Sequence, residues 1–207
     1  TGTATLIGTV PNVSVTRNTI VPAGATASIN GNLTISNTGS FEVIGNTTVS
    51  GTLTTLNTGA VKMVNGAAVL TVNGNVNIGS TVNSTGHLTA GTLNVKGQFL
   101  NTGTNQDFLA SGTHLTVLNG LTAQTISFSF PSGNNQHFRN LRLTNTAGVV
   151  LSTDVHVSGS LEINAAGSLS GPGALDLVGS LTTVAGSSIT VPNVTLQGTM
   201  AVSGSFS

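Results

Sequence analysis

Apolar residues alternate with small polar ones in short bursts along the chain, and one phrase keeps returning. It reads INGNLTISNTGSF at 29–41, VSGTLTTLNTGAV at 49–61, VSGSLEINAAGSL at 157–169 and LVGSLTTVAGSSI at 177–189. Aligned on the first glycine, the phrase places Gly31, Gly51, Gly74 and Gly91 at steps of 20, 23 and 17 residues, and Gly159, Gly179 and Gly198 at steps of 20 and 19. Two residues before that glycine stand Ile29, Val49, Val72, Thr89, Val157, Leu177 and Leu196. Two residues after it stand Leu33, Leu53, Val76, Leu93, Leu161, Leu181 and Met200. The position directly after the glycine is always polar: Asn32, Thr52, Asn75, Thr92, Ser160, Ser180 and Thr199. A period of two is that of a half-buried strand, whose successive side chains face opposite sides. Val, Ile and Thr dominate, and Gly, Asn and Ser interrupt every few residues, which disfavours helices. A second glycine eight residues on, at Gly39, Gly59 and Gly167, predicts a turn with positive φ.

Near-regular spacing of this kind marks a repeat architecture, in which each unit buries its apolar face against the next. A unit of about 20 residues without helix predicts an all-β fold, a single-stranded parallel β-helix or β-solenoid, over residues 1–207 as one domain. About ten coils at roughly 4.8 Å each give a rod near 50 Å long. Leu33, Leu53, Val76, Leu93, Leu161, Leu181 and Met200 are then expected to form one core ladder. Glu42 and Lys62 occupy matching places in consecutive units and are expected to meet across a coil boundary. The rhythm loosens at about 104–150, where Phe108, Phe128, Phe130, Phe138, Arg139 and Arg142 gather and a Pro-Ser-Gly-Asn-Asn turn interrupts. A wider coil or an outward loop near residues 131–136 is expected there.

The run QTISFSF…HFRNLRLTNTAGVVLSTDVHVSGSLEI, within residues 124–163, resembles the repeat texture of large bacterial surface and secreted β-solenoid proteins of the adhesin kind. In that texture F-x-N-L-x-(L/I) is followed by G-V-x-L and V-x-G-x-L. The rest of the chain is similar to the looser Gly/Thr/Asn repeats of the same proteins. The resemblance implies a right-handed β-helix outside the cell or on the bacterial surface, and it brings no catalytic residues with it.

Composition narrows the function. Five acidic and five basic residues cancel, and charged residues make up 5% of the chain, too few to neutralise a run of phosphates, so no nucleic-acid partner is expected. Cysteine is absent, which removes disulfides and thiolate metal sites. The apolar runs are short and broken by polar residues, so membrane insertion as a helix is not expected. The chain starts TGTATLIG without Met or a charged-then-apolar leader, the expectation for a mature chain or a piece of a longer one.

Polysaccharide lyases and glycosidases built on β-helices need paired carboxyls, and Glu42, Asp107, Asp154, Glu162 and Asp176 are the supply. Asp154 and Asp176, 22 residues apart, are placed to stack on adjacent coils, but no acidic cluster accompanies them. His87, His114, His137 and His156 fall on separate coils without ligand spacing and read as turn or solvent-facing residues, so no metal, no cofactor and no catalytic residue is expected. The Asn-x-Ser/Thr triplets at Asn12, Asn32, Asn46, Asn83 and Asn193 carry little weight in so Asn- and Thr-rich a chain. An ice-binding threonine face is not sustained: three positions after the glycine stand Thr34, Thr54, Asn77, Asn94, Glu162, Thr182 and Ala201.

Both ends read as ordinary repeat units, VPNVSV at 10–15 and VPNVTL at 191–196, without a polar cap. The expectation is a non-enzymatic extracellular structural protein, a fibre subunit or stalk segment that stacks head to tail on copies of itself. The alternative is a polysaccharide-binding module using a face of Phe128, Phe130, His137, Arg139 and Arg142, with ice binding or lyase activity behind it.

Overall fold

The computed structural model describes residues 2–104 and 106–206. Among them are twenty-seven short strands, all paired in parallel, and no helix. The chain winds as a β-solenoid of about ten turns. Each coil visits three faces in the same order. The second face is a ten-stranded sheet from Gly8–Val10 to Met200–Val202, and the third a ten-stranded sheet from Val13–Val15 to Ser205–Phe206. The first face is ragged: four strands from Ala4–Thr5 to Ala60–Lys62, then single bridges through Leu88, Ala110, His137 and Phe138, then Val155–Val157, Leu175–Leu177 and Val194–Leu196.

Alternation does what the sequence predicts. Leu33–Ile35 buries its two ends and leaves Thr34 outside; Leu161–Ile163 and Leu175–Leu177 repeat the pattern with Glu162 and Asp176 outward. The inward side chains of successive coils merge into one continuous core. Each fully buried Leu, Ile, Val or Phe stabilises the fold by about 1.5–3 kcal/mol relative to exposure.

The single glycine-aligned ladder, however, divides in two. Leu33, Leu53 and Val76 are register neighbours on the third face, continued by Val13 below and Phe99 above. Leu93 lies on the second face opposite Leu70, and Leu161, Leu181 and Met200 form a ladder on that same face, continued from Leu141. Gly31, Gly51 and Gly74 stack at the corner between the second and third faces, with Gly97 next. Gly91, Gly159, Gly179 and Gly198 instead stand between the first and second faces. Met200 is exposed because no described strand lies beyond it on its sheet, whereas its neighbour Leu181 is buried.

The predicted turn chemistry also shifts by two residues. Asn37 and Asn57 carry the positive φ, at 55° and 56°, while Gly39 and Gly59 do not. Those glycines are needed because a Cβ would collide with the carbonyl oxygens of Val15 and Ile35 in the coil below. Asn tolerates the left-handed region better than most residues, which fits it for the corner.

Coil size changes along the rod. Hydrogen bonds between equivalent corners span 20 residues from Asn12 to Asn32, 23 from Asn75 to Gln98, 27 from Gln98 to Thr125 and 20 again from Asn140 to Ser160. The extra residues fall inside the region expected to be irregular. Glu42 and Lys62 are register partners as predicted, but the ion pairs among the described residues are Arg142–Glu162 and His156–Asp176.

Candidate functional site

A larger coil encloses more space, and phenylalanine fills it. Phe99, Phe108, Phe128 and Phe138 pack with ring centroids 4.9 Å (Phe99–Phe108), 5.0 Å (Phe99–Phe138) and 5.1 Å (Phe128–Phe138) apart, mostly tilted or edge-on, the arrangement that the ring quadrupole favours. All four are buried. Phe128 is therefore a core residue and not part of a ligand face. The small cavity beside this cluster, bordered by Asp107, Phe108, Ser84 and Leu88, has about 20 Å³, room for one water.

The other members of the predicted ligand face are also separated. Phe130 is half-exposed at the start of the outward turn. His137 is buried on the first face, its Nδ1 3.1 Å from the Asn135 carbonyl. Arg139 sits at the next corner and donates to the carbonyls of Gly112 (3.0 Å) and Ser158 (2.8 Å). Arg142 lies on the second face, with Nε donating to Glu162 Oε2 at 2.7 Å. These guanidinium nitrogens tie coils together, so the five residues do not form one binding surface.

Three of the four histidines are buried, contrary to the solvent-facing expectation. His114 is enclosed at a corner with Nδ1 2.9 Å from the Ala90 carbonyl and its Nε2 without a partner. Burial lowers its pKa against the smaller opposing effect of that carbonyl. His137 is lowered by burial and then by the charge of His156. His87 is lowered by burial and by Lys62.

A buried amide and carboxyl network supports the outward turn. Gln136 is wholly buried; its Oε1 accepts from the Phe130 N–H (2.8 Å), and its Nε2 donates to Asp107 Oδ1 (2.9 Å) and Asn101 Oδ1 (3.1 Å). Asn101 Nδ2 also donates to Asp107 Oδ1, at 3.0 Å. Desolvation nevertheless outweighs these hydrogen bonds and pushes the Asp107 carboxyl up to about 6. Its Oδ2 is buried without a partner. Gln136 thus staples both ends of the turn spanning 130–136 to the body.

On the outer side, that turn overhangs the first face. His156 projects outward from Val155–Val157 yet is only 6% exposed, because Gly133 lies over it and His137 packs edge-on at 5.6 Å. A Cβ at position 133 would come within 3.1 Å of His156 Nε2. His156 Nδ1 lies 2.7 Å from Asp176 Oδ2. Asp176 is the register partner of His156 on the next coil, and Thr195 that of Asp176 on the coil after. Asp154 does not stack on Asp176; its Oδ1 accepts from the Ala174 N–H at 2.8 Å. Both carboxylates nevertheless border one cleft of about 240 Å³ between the turn and the first face. The histidine–carboxylate pair was missed in the sequence because the glycine alignment paired Asp176 with Asp154; a 20-residue step from His156 would have found it.

Polar side chains also link coils at the corner between the second and third faces. Asn12 Oδ1 accepts from the Asn32 N–H (2.6 Å), Asn32 Oδ1 from Thr52 (2.8 Å) and Asn75 Oδ1 from Gln98 (2.8 Å). Two of the Asn-x-Ser/Thr asparagines, Asn12 and Asn32, are thus engaged in holding the next coil. The outward column of the second face reads Thr9, Ser28, Thr48, Thr71, Asn94, Val117, Arg142, Glu162, Thr182 and Ala201, so its hydroxyl run is broken midway. Among the described residues, no group of three or more His, Asp or Glu is placed to hold a metal ion. Compared with protein-family models, with curated proteins and with solved structures, the chain matches none.

Proposed function

We propose that the chain is a structural segment of an extracellular or cell-surface fibre or stalk, continued end to end through the strand edges of its terminal coils, and that it performs no catalysis. The observation carrying this reading is the match between the two ends. The first described coil offers the free edges of Ala4–Thr5, Gly8–Val10 and Val13–Val15; the last offers Val194–Leu196, Met200–Val202 and Ser205–Phe206 on the same three faces. Because all pairings are parallel, another coil added at either end repeats the internal geometry. Such a contact is heterologous and does not close on itself, so it grows an open filament. Met200, 59% exposed at a ladder position whose neighbour Leu181 is 1% exposed, gains burial from the added coil. A net charge of zero leaves little repulsion against stacking. The similarity of the 124–163 texture to bacterial surface β-solenoids supports the extracellular setting.

Negative-stain electron microscopy across a concentration series tests this reading. Thin fibres whose length rises with concentration, in units near 48 Å, are expected. Met200→Glu, which places a charge in the joint, should shorten them. Single short rods at every concentration, with a monomer mass by sedimentation, would overturn the proposal.

A further inference from the structure

The chain is poor in charge, yet two of its five carboxylates and one of its four histidines border a single cleft. That cleft is built rather than incidental. His156 is nine-tenths buried, held by Asp176 at Nδ1, by the edge of His137 and by the glycine roof at position 133. Asp154 is fixed by the Ala174 N–H. The turn that forms the opposite wall is stapled from inside by Gln136. Charged groups held in place by burial and hydrogen bonds are preorganised, so a ligand meets them without a further ordering cost.

The lining is of mixed chemistry. Asp154, Asp176 and the exposed Thr195 supply oxygen acceptors, and Pro131 and Leu175 supply apolar surface beside them. No Lys or Arg lines the cleft, so its charge is negative or at most partly offset by His156. Acceptors next to small apolar patches suit a ring that carries hydroxyl or amino donors at its rim and C–H groups on its face. An acidic ring would bring like charge against the carboxylates.

We propose that this cleft is a binding subsite for a non-acidic saccharide. The carboxylates of Asp154 and Asp176 accept from its hydroxyl or amino groups, and Pro131 and Leu175 meet its C–H face. His156 holds the Asp176 carboxylate in position and does not itself reach the ligand. The site is on the side of the rod, so ligand binding and end-to-end assembly are separate properties that fail separately.

The test titrates the chain with three tetrasaccharides, of glucosamine, of glucose in β-1,4 linkage and of galacturonate, by calorimetry and amide NMR shifts in the presence of EDTA. At about pH 6.5 the glucosamine amines are protonated. Glucosamine and glucose tetramers are expected to bind, the former more tightly, and the galacturonate tetramer at least about tenfold more weakly. Asp176→Asn and Asp154→Asn should each weaken glucosamine binding about tenfold, and the milder Thr195→Val about threefold, with melting temperatures retained. Absence of binding by the two non-acidic probes, equal binding of all three, or unchanged affinity in a folded Asp154→Asn/Asp176→Asn variant would overturn the proposal. So would heat from calcium alone that the same substitutions abolish.

Discussion

The regular coils and the wide coils solve the same packing problem by different means. Where a coil takes 20 residues, aliphatic side chains such as Leu33, Leu53, Leu161 and Leu181 fill the interior, and polar groups remain outside or at corners. Where a coil grows to 27 or 25 residues, the interior accepts four phenylalanines and, beside them, a set of buried polar side chains: Asn101, Asp107, Gln124, Gln136 and Asn145. The excess backbone of a wide coil leaves the ladder and takes its unpaired N–H and C=O groups into the protein, where each needs a partner. Gln124 shows the solution. Its Oε1 accepts from the Gly120 N–H (2.8 Å) and from Asn145 Nδ2 (2.9 Å), while its Nε2 donates to the carbonyls of Val95 (2.9 Å) and Gly97 (2.6 Å). The aliphatic coils are thus insensitive to detail, and the wide ones depend on particular amides. The outward turn and the cleft arise only where that second solution is in use.

The comparison is broken most severely at the aliphatic ladder. Leu53→Asp places an unpaired charge between Leu33 and Val76, a penalty of at least about 4 kcal/mol, and should abolish cooperative melting of the neighbouring coils. Thermal melting by circular dichroism reads this directly; an unchanged transition would mean that Leu53 does not face the core. Next in size is the aromatic cluster. Phe99→Ala removes the ring that touches the other three and should cost about 3–5 kcal/mol, because a wide coil cannot collapse onto the cavity.

Gln136→Ala separates the two strategies. It leaves the aliphatic ladders untouched but strips partners from Asp107, Asn101 and the Phe130 N–H. A loss of about 2–3 kcal/mol is expected, with hydrogen exchange accelerating first in residues 130–137 and not in the 20-residue coils. Uniform acceleration along the rod would contradict the division drawn here.

Asp107 gives that division a pH signature. Its folded-state pKa of about 6 lies above the ordinary value of 3.8, so the folded chain holds this proton more tightly than the unfolded chain. The stability it contributes is present below about pH 3.8 and is lost as pH rises through about 6. Asp107→Asn keeps an acceptor for Asn101 and Gln136 without the charge, and should stabilise the protein by about 1–3 kcal/mol at pH 8 and by little at pH 4. His87, His114 and His137, lowered by burial, act in the opposite sense: their stability is present above pH 6.5 and is lost as pH falls below it. Urea denaturation of wild type and Asp107→Asn at several pH values isolates the carboxyl from the histidines.

How much of this was legible follows from the same comparison. Period-two alternation and a recurring glycine were enough for the solenoid, because every strand of every face buries one side. They were not enough to tell one face from another. All three corners use the same small vocabulary of Gly, Asn, Ser and Thr, so Gly74 and Gly91 look equivalent though they occupy different corners. Each wide coil then resets the phase, and a ladder counted through it arrives on the wrong face, as Leu161 and Leu181 do relative to Leu33. Phe128 looked like a ligand platform because aromatics stand out in a chain with so few, whereas volume demand in a wide coil explains it. The cleft was invisible because His156 meets Asp176 only once the register after the wide coils is known.

The smallest expected effect lies at the junction of the two regions. Arg142 belongs to the last wide coil, and Glu162, its register partner, to the regular coil that follows. Their side chains are 37% and 31% exposed, so solvent and salt screen the pair despite its 2.7 Å separation. A double-mutant cycle with Arg142→Ala and Glu162→Ala should give a coupling of about 0.3–0.8 kcal/mol, falling toward zero in about 1 M salt. A coupling that is larger and independent of salt would mean that the wide coils are locked to the regular ones electrostatically. A small one means that the join relies, like the rest of the rod, on the continuous core through Leu141 and Leu161.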